Sequence, residues 1–397
     1  MPWREVDPMD ERLCFVVERE LGGTALADLC RQYGISRKTG YKWLARYAAG
    51  GQEAMKEASR RPHSCPHATP DWLTAMVVGL KRRWPSWGPR KLAAKLRQME
   101  IAAPAASTIG GILKRAGLVE PRARRPSSGV RRWPAGLTRP QRPNHVWGVD
   151  FKGWFRTQDG AVCHPLTVSD LYSRYVLDCE PLADQKMASA VGYFGQLFAR
   201  RGLPEIIRVD NGSPFGSAGV GGLSRLSVMW LRLKISVEFI APGHPEQNGC
   251  HERMHRTLKA ETARPPSATR PEQARRMAAW RREFNEERPH EALGQRPPAA
   301  LYRTSERRSP EHCPDFEYAW WIDHRRVHHD GMIRWQGREW FIGEAFAGST
   351  LGLQENVSGE IEVFAGNLFL GVLIENGPSH LTPRGVRWDG PPCSGPE

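Results

Sequence analysis

The chain has 397 residues, too many for one ordinary core, so two to four domains with ample apolar content are expected. Lys and Arg outnumber Asp and Glu by 57 to 43, and 46 of those cations are Arg, whose planar fork suits phosphate; nucleic acid is the natural partner, although GC-rich coding would leave the same bias. Eight Cys stand singly at 14, 30, 65, 163, 179, 250, 313 and 393, with no CxxC pair, which excludes a disulfide framework and a zinc ribbon.

The opening MPWREVDPMDERL is charged and lacks the apolar core of a signal peptide, and no run approaches the ~18 residues of a membrane span. A reduced cytoplasm, with no membrane partner, is the expectation. His63, Cys65 and His67 alternate, but three ligands at spacing two, with no fourth nearby, read more readily as a linker than as a metal site.

From Asp10 to Ala48 the pattern predicts three short helices. Leu13, Val16 and Val17 mark the first, Thr24 is placed to cap the second, and Ser36 to cap the third after the turn at Gly34. The third helix, RKTGYKWLARY, aligns Lys38, Lys42 and Arg46 at steps of four, as a helix entering a major groove would. A plain trihelical domain with a solvated basic face gives the same pattern, and Gly40 weakens the helix.

A second such unit follows the spacer at 61–70. Leu73, Met76, Val77 and Leu80 form one apolar face, Gly88-Pro89 starts the next helix with Leu92 and Leu96, and Ser107 is placed to cap a third with Ile109, Ile112 and Leu113. Arg90, Lys91 and Lys114 are its candidate DNA contacts. The domains predicted so far are a helix-turn-helix unit at 1–60 and a second at 61–118. Residues 119–143 are rich in Pro and Arg and form a basic linker, either a solvated tether or one that tracks a phosphate backbone.

Beyond the linker the period becomes extended. His145–Phe155, Val162–Val168 and Tyr175–Glu180 read as an antiparallel meander. A helix at Gln185–Arg200, a buried strand at Glu205–Val209, a helix at Leu223–Leu233 and a short strand at Val237–Ile240 follow. Strands that return through crossover helices after a meander make an α/β layer fold with a mixed sheet, assigned to residues 144–302. The helix carrying Met277, Trp280 and Phe284 belongs to that core. Gly turns at Asp330-Gly331, Gln336-Gly337, Ser358-Gly359 and Gly366-Asn367 separate short extended runs, predicting a small all-β module at 303–376 and a flexible tail at 377–397.

Three acids stand in unusual settings. Asp150 interrupts the apolar strand VWGVDF, where an unpaired carboxylate is costly. Asp210 follows Ile206-Ile207-Arg208-Val209, at the carboxyl end of a strand, where α/β sheets place their sites. Glu252 lies on the helix predicted at the end of IAPGHPEQNGCHERMHRTLKAE, whose Cys250, Met254 and Leu258 form an apolar stripe opposite Glu252, His255, Arg256 and Lys259. If the first and fourth strands are neighbours, the three carboxylates converge and raise one another's pKa. Divalent cations relieve that repulsion, and two Mg²⁺ or Mn²⁺ ions about 3.5–4 Å apart suit phosphodiester chemistry. His255, Arg256 and Lys259 would then hold the phosphate backbone. An ordinary solvated amphipathic helix shows the same division of faces.

The runs VWGVDFKG, RVDNGSPF and PGHPEQNGCHERMHRTLK, together with TVSDLYSRY and FNEERPHEALGQRPP, resemble the catalytic core of insertion-sequence transposases of the DDE, retroviral-integrase type over roughly residues 140–300. The resemblance implies a multidomain protein: an all-α tandem helix-turn-helix N-terminus, an α/β ribonuclease-H-like core and a small all-β C-terminal module. It implies a triad of Asp150, Asp210 and Glu252 as catalytic residues and ligands of two Mg²⁺ or Mn²⁺. Glu246 lies in the loop before the turn, whereas the family's acid lies on the helix after it. The chain departs from the pattern at Val209, where a small polar residue is usual, at Lys234, where Gly is usual, and at Cys250.

The implied activity is metal-dependent cleavage and strand transfer on double-stranded DNA, the element's ends and the target, by a bacterial, DNA-associated homo-oligomer with no small-molecule substrate. An inactive relic or a DNA-binding regulator using only the helix-turn-helix units is the alternative; a ribonuclease acting on RNA–DNA hybrids would share the core.

Overall fold

In the computed structural model, which describes residues 8–57, 68–119, 136–241, 247, 249–385 and 387, the chain divides into two units, Met1–Pro70 and Asp71–Glu397. His63, Cys65, His67, Glu246 and most of the basic linker lie outside the described residues.

The first unit holds α1 (Pro8–Glu20), α2 (Leu26–Gln32) and α3 (Arg37–Gly50) around Phe15, Val16, Leu29, Cys30, Trp43 and Met55. Ser36 caps α3 by accepting the Thr39 N–H, as its sequence predicts. Thr24 does not cap α2: Ala25 occupies that position, with no side-chain bond. Gly40 has a packing reason to be there. A Cβ at that position would lie 2.7 Å from Cys30 Sγ and 3.0 Å from Phe15 Cζ, so α3 reaches the other helices only through a residue that costs a helix about 1 kcal/mol.

The second unit begins with α4 (Asp71–Arg83), α5 (Pro89–Gln98) and α6 (Ala106–Arg115). Gly88 and Pro89 start α5 as predicted, whereas Ala105 precedes α6 and Ser107 falls inside its first turn rather than capping it. Leu73, Val77, Leu92, Leu96, Ile109, Ile112 and Leu113 close on a stacked pair, Trp84 and Trp87, 4.3 Å between centroids.

The sheet that follows comprises β1 (Val146–Phe151), β2 (Phe155–Arg156), β3 (Val162–Asp170) and β4 (Val176–Leu182), then β5 (Ile206–Val209) after α7 (Met187–Arg201), and β6 (Ser236–Phe239) after α8 (Arg225–Arg232). Its order is β2-β3-β1-β5-β6, with β4 also on β3. The meander is antiparallel, β1 to β3 and β3 to β4, and the two strands that return through helices, β5 and β6, are parallel to β1. This is the mixed α/β sheet that the period change predicts.

Helices cover both faces. Trp147, Val149, Ile207 and Val209 meet Phe194 and Phe198 of α7 and Trp230 of α8 on one side. On the other, α9 (Gly249–Thr262) and α10 (Arg270–Glu286) bring Met254, Leu258, Met277, Trp280 and Phe284 against Val176 and Cys179 of β4. Asn285, in the FNEERPHEAL run, pins α10 to the sheet: its buried amide accepts the Val176 N–H at 2.8 Å and donates to the Val176 carbonyl at 2.9 Å.

The C-terminal module contains β7 (Asp323–Arg326), the hairpin β8 (Met332–Trp335) and β9 (Arg338–Phe341), and β10 (Thr350–Glu355), β11 (Ile361–Ala365) and β12 (Leu368–Leu373), ordered β12-β11-β10-β7. All four predicted glycines of its turns have positive φ, including Gly337 at +77° beside Gln336 at +48°, the left-handed pair that a two-residue hairpin needs. The described residues after Gly377, expected to be loose, pair with the module. His380 and Thr382 bridge to Phe341 and Val372, and Leu381 is buried.

Candidate active site

Strand alternation decides which way Asp150 faces. Trp147 and Val149 of β1 point into the α7/α8 core, so Gly148 and Asp150 belong to the opposite, α9, side. Gly148 itself marks the contact: a Cβ there would meet Leu171 Cδ2 at 2.8 Å and His251 Nδ1 of α9 at 3.0 Å. The parallel register of β1 and β5, Val146 with Ile206 and Gly148 with Arg208, carried two residues further, sets Asp150 level with Asp210. The first and fourth strands of the prediction are therefore neighbours. Below Asp210, β5 is tied to its other parallel neighbour β6 by a buried ion pair, Arg208 to Glu238 at 2.7 Å, with Arg208 also donating to the Thr138 carbonyl.

Asp210 is exposed and accepts the Gly212 N–H at 3.1 Å. Its neighbour Asn211 ties the loop to the end of β6 by donating to the Ile240 carbonyl at 2.6 Å. Glu252 sits exposed in the first turn of α9. Asp150 is pushed up from 3.8 to about 7, first by burial and then by the charge of Asp210, with Glu252 adding to the effect and Lys152 opposing it. Among the described residues, no group of three or more His, Cys, Asp or Glu is gathered in a way that could hold a metal ion.

The buried face of α9 differs from the expected stripe. It is His251, Met254, His255, Leu258 and Thr262, while Cys250 is exposed and does not dock the helix. His255, expected among the DNA-facing cations, is 1% exposed and points inward, so it is withdrawn from that role. Its Nε2 stands 2.6 Å from Thr167 Oγ1, and the same hydroxyl lies 2.7 Å from His251 Nε2. His255 Nδ1 is 3.6 Å from Asp150 Oδ2. Burial lowers both rings, His251 to about 4 and His255 to about 2, the second also through its neighbour His251. Asp150 moves upward and His255 downward, each toward its neutral form, so their contact is not a formed ion pair.

Arg256 and Lys259 project to solvent beside Glu252. Lys38 and Lys42 of α3 are exposed, while Arg46 is half-buried with its guanidinium 5.1 Å from the Trp43 ring centroid. Lys114 is exposed and Arg90 pairs with Glu291 at 2.8 Å. Lys91 is half-buried and lowered to about 8 by burial and the nearby Arg288. The sequence reading missed Lys152, His251, Thr167 and Ser169. Their signal was available: Thr167 falls on the α9 side of an apolar strand, and His251 and His255 are one turn apart.

A family model described as an integrase core domain matches residues 140–245, and a second of the same description matches 233–298. A homeodomain-like domain model matches 39–113 and a helix-turn-helix domain model matches 11–63. An uncharacterized 31.7 kDa protein of insertion element IS407, from Burkholderia multivorans, is 30% identical over 226 residues, which is 56% of this chain and 77% of that protein. The chain belongs to the insertion-sequence transposases with a retroviral-integrase-type core. An uncharacterized 39.2 kDa protein of insertion element IS476, from Xanthomonas euvesicatoria, is 32% identical over 169 residues, 41% of this transposase and 46% of that relative. The transposase chain thus spans about half the length of that second relative. The HTLV-2 integrase catalytic core domain, solved in complex with magnesium, aligns over 42% of the chain and 100% of that domain at 15% identity, with a TM-score of 0.33, a likeness too distant to argue from. Among the described residues no helix is long and apolar enough to cross a membrane.

Proposed function

We propose that this chain is a DNA transposase that binds the terminal repeats of its own element and carries out strand cleavage and strand transfer with Asp150, Asp210 and Glu252 as its catalytic carboxylates. One observation carries the reading. Asp150 sits in an apolar strand at the carboxyl ends of two paired parallel strands, level with Asp210, and its proton is held to about pH 7 by burial and by the charges of Asp210 and Glu252. A protein gains no stability from raising a carboxyl in this way, and hard oxygen donors that crowd one another suit a divalent metal.

Asp150, Asp210 and Glu252 would hold Mg²⁺ or Mn²⁺, two ions in this reading. When bound, such ions lower the pKa of water and stabilise charge on the oxygens of an in-line displacement. The rest falls to the chain's own residues. Lys259 and Arg256, exposed beside Glu252, hold the phosphate backbone so that the scissile phosphorus faces the carboxylates. Water then cuts, and a DNA 3′-hydroxyl joins, without a covalent protein intermediate; no Ser or Tyr nucleophile is required. Lys38, Lys42 and Arg46 of the first helix-turn-helix, and Arg90, Lys91 and Lys114 of the second, grip the element's ends. Arg90 can exchange its exposed partner Glu291 for a phosphate at little cost, because such surface pairs are worth about 0–1 kcal/mol. Two ends must be joined, so a homo-oligomer on DNA is implied.

The experiment is cleavage and joining of end-containing duplex DNA in Mg²⁺ by the wild type and by Glu252→Gln. Loss of both reactions with end binding retained is expected, and equal activity would overturn the assignment.

A further inference from the structure

Between α5, α9 and the segment after α10 lies a cavity of about 350 Å³, the size of a small-ligand site. Lys91 of α5, Arg174 of the β3–β4 turn, Arg253 and Thr257 of α9, and Arg288 and His290 beyond α10 line it. Stretches far apart in sequence thus turn four cations onto one space. Among the described residues two acids share the wall, and both are engaged. Asp170 is fully buried and accepts the N–H groups of Asn144 at 2.9 Å and Ser173 at 2.7 Å. Glu291 is largely exposed and pairs with Arg90 at 2.8 Å.

Around the cavity, α5 and the turn before it are joined to the core by matched polar bridges. Lys95 meets Glu287 at 3.2 Å, Arg90 meets Glu291, and Ser86 donates to Glu261 at 2.6 Å. Lys91 stands among these bridges, half-buried, with no hydrogen bond or ion pair among the described residues. Arg288 is 8% exposed and its guanidinium carbon lies 5.6 Å from the Phe284 ring centroid. Of its five N–H donors one has an acceptor among the described residues, Glu261 Oε1 at 3.3 Å. His290 Nε2 is buried there without a hydrogen-bond partner. Burial and the charge of Arg288 push Lys91 down to about 8, with Arg253 adding to the effect and Glu261 and Glu291 opposing it. Burial, then Lys91, Arg288 and Arg174, lowers His290 to about 3, so the ring is neutral and does not relieve its neighbours. Cations withdrawn from water that face one another are costly until an anion joins them. A phosphate suits this set, because its oxygens accept several charge-assisted bonds at once and the Arg fork matches them in pairs.

We propose that this cavity is a phosphate site, held by Lys91, Arg174, Arg253 and Arg288, and that the group it takes is one backbone phosphate of the DNA. The source of the phosphate rests on the transposase reading; the anion site itself does not. Arg253 directly follows Glu252, and Cys250, Arg253 and Thr257 form the stripe of α9 beside that of Glu252, Arg256 and Lys259. A phosphate seated here ties α5 of the second helix-turn-helix unit to the helix that carries Glu252, so that binding an end and setting that helix become one event.

The test is metal-free binding of end-containing duplex by the full chain, with each phosphate in turn replaced by an uncharged methylphosphonate. One position should cost the wild type about 10-fold or more, the loss of a charge-assisted contact. At that same position the loss should shrink at least about 3-fold in Lys91→Gln and in Arg253→Gln, since a partner of the phosphate is already gone. Lys91→Gln should also lower the slope of log affinity against log salt by about 1. Arg288 is left in place because it also holds Glu261. Different coupled positions for the two variants, or none, overturn the DNA assignment. Inorganic phosphate, titrated calorimetrically into the DNA-free chain, supplies the second arm: binding weakened about 10-fold or more in Lys91→Gln is expected. Phosphate bound in this way by a chain that fails to bind the duplex removes the transposase reading and leaves the anion site standing. Duplex bound without a coupled position, with phosphate bound equally by Lys91→Gln and the wild type or by neither, overturns the site and leaves the transposase reading intact.

Discussion

Gly148→Ala puts one methyl group into the space between β1 and α9. Its Cβ would fall 2.8 Å from Leu171 Cδ2 and 3.0 Å from His251 Nδ1. The leucine end can swing aside, but His251 is held from both ring nitrogens by Thr167 and Ser169. Overpacking of this kind costs about 1–3 kcal/mol. Displacing the ring weakens two hydrogen bonds, each worth about 1 kcal/mol. Against this, Ala restricts the unfolded chain and returns about 0.5–1 kcal/mol, because Gly148 has no positive φ to preserve. The net is a loss of roughly 1–4 kcal/mol, localised between β1, β3 and α9. Since a multidomain chain has no single unfolding free energy, the assay is hydrogen exchange of the backbone amides of β1 and β3, in which such a loss reads as a fall in protection of roughly 5- to 800-fold. Unchanged or increased protection in Gly148→Ala would refute the claim that this glycine exists to seat His251.

Lys234 closes α8 at φ +56°, a left-handed position that costs a side chain about 1–2 kcal/mol, and its 3.8 Å pair with Glu317 is largely exposed; Lys234→Gly should therefore raise the urea midpoint of the core, and a lower midpoint would contradict this. Arg208 is buried against Glu238, so Glu238→Ala removes the carboxylate that its guanidinium faces and should cost about 3–5 kcal/mol, seen as lost protection along β5 and β6; an effect below about 1 kcal/mol would show the pair to be incidental. The pH dependence of the metal-free protein carries the sign of Asp150. Its pKa is raised from 3.8 to about 7 on folding, so the folded state binds its proton more tightly, and that stability is present below pH 4 and lost as pH rises through 7. At pH 8 with chelator, Asp150→Asn should be more stable than wild type by up to about 4 kcal/mol, with the gap closing toward pH 4; a gap independent of pH would contradict the burial and crowding of Asp150.

Much of the fold was legible because its signals are local. Ser36, the Gly88-Pro89 start of α5 and the glycine turns of the β module act within a few residues, and the period change at His145 follows from the short apolar run of β1, buried from Val146 to Val149. Asp150 and Asp210 stood out for a related reason: an acid in or directly after an apolar strand has no cheap local explanation. What failed depended on contacts made elsewhere. Thr24 and Ser107 have capping chemistry, but the cap positions fall at Ala25, one residue after Thr24, and at Ala105, two residues before Ser107. Cys250 and His255 exchanged places, because three-residue and four-residue steps both satisfy a helical stripe, and the space that admits imidazole rings is supplied by Gly148 on another element. Gly40 looked like a weakness for the same reason, since Cys30 and Phe15 press on it from α2 and α1.

The central claim is that Asp150, Asp210 and Glu252 act together on DNA phosphates. Its most direct measurement is cleavage and joining of end-containing duplex in Mg²⁺, with end binding followed in parallel, for the wild type, Asp150→Asn, Asp210→Asn and Glu252→Gln. Each variant should bind the ends as the wild type does and give neither cut nor joined product. Wild-type amounts of product from any one of the three would contradict the account.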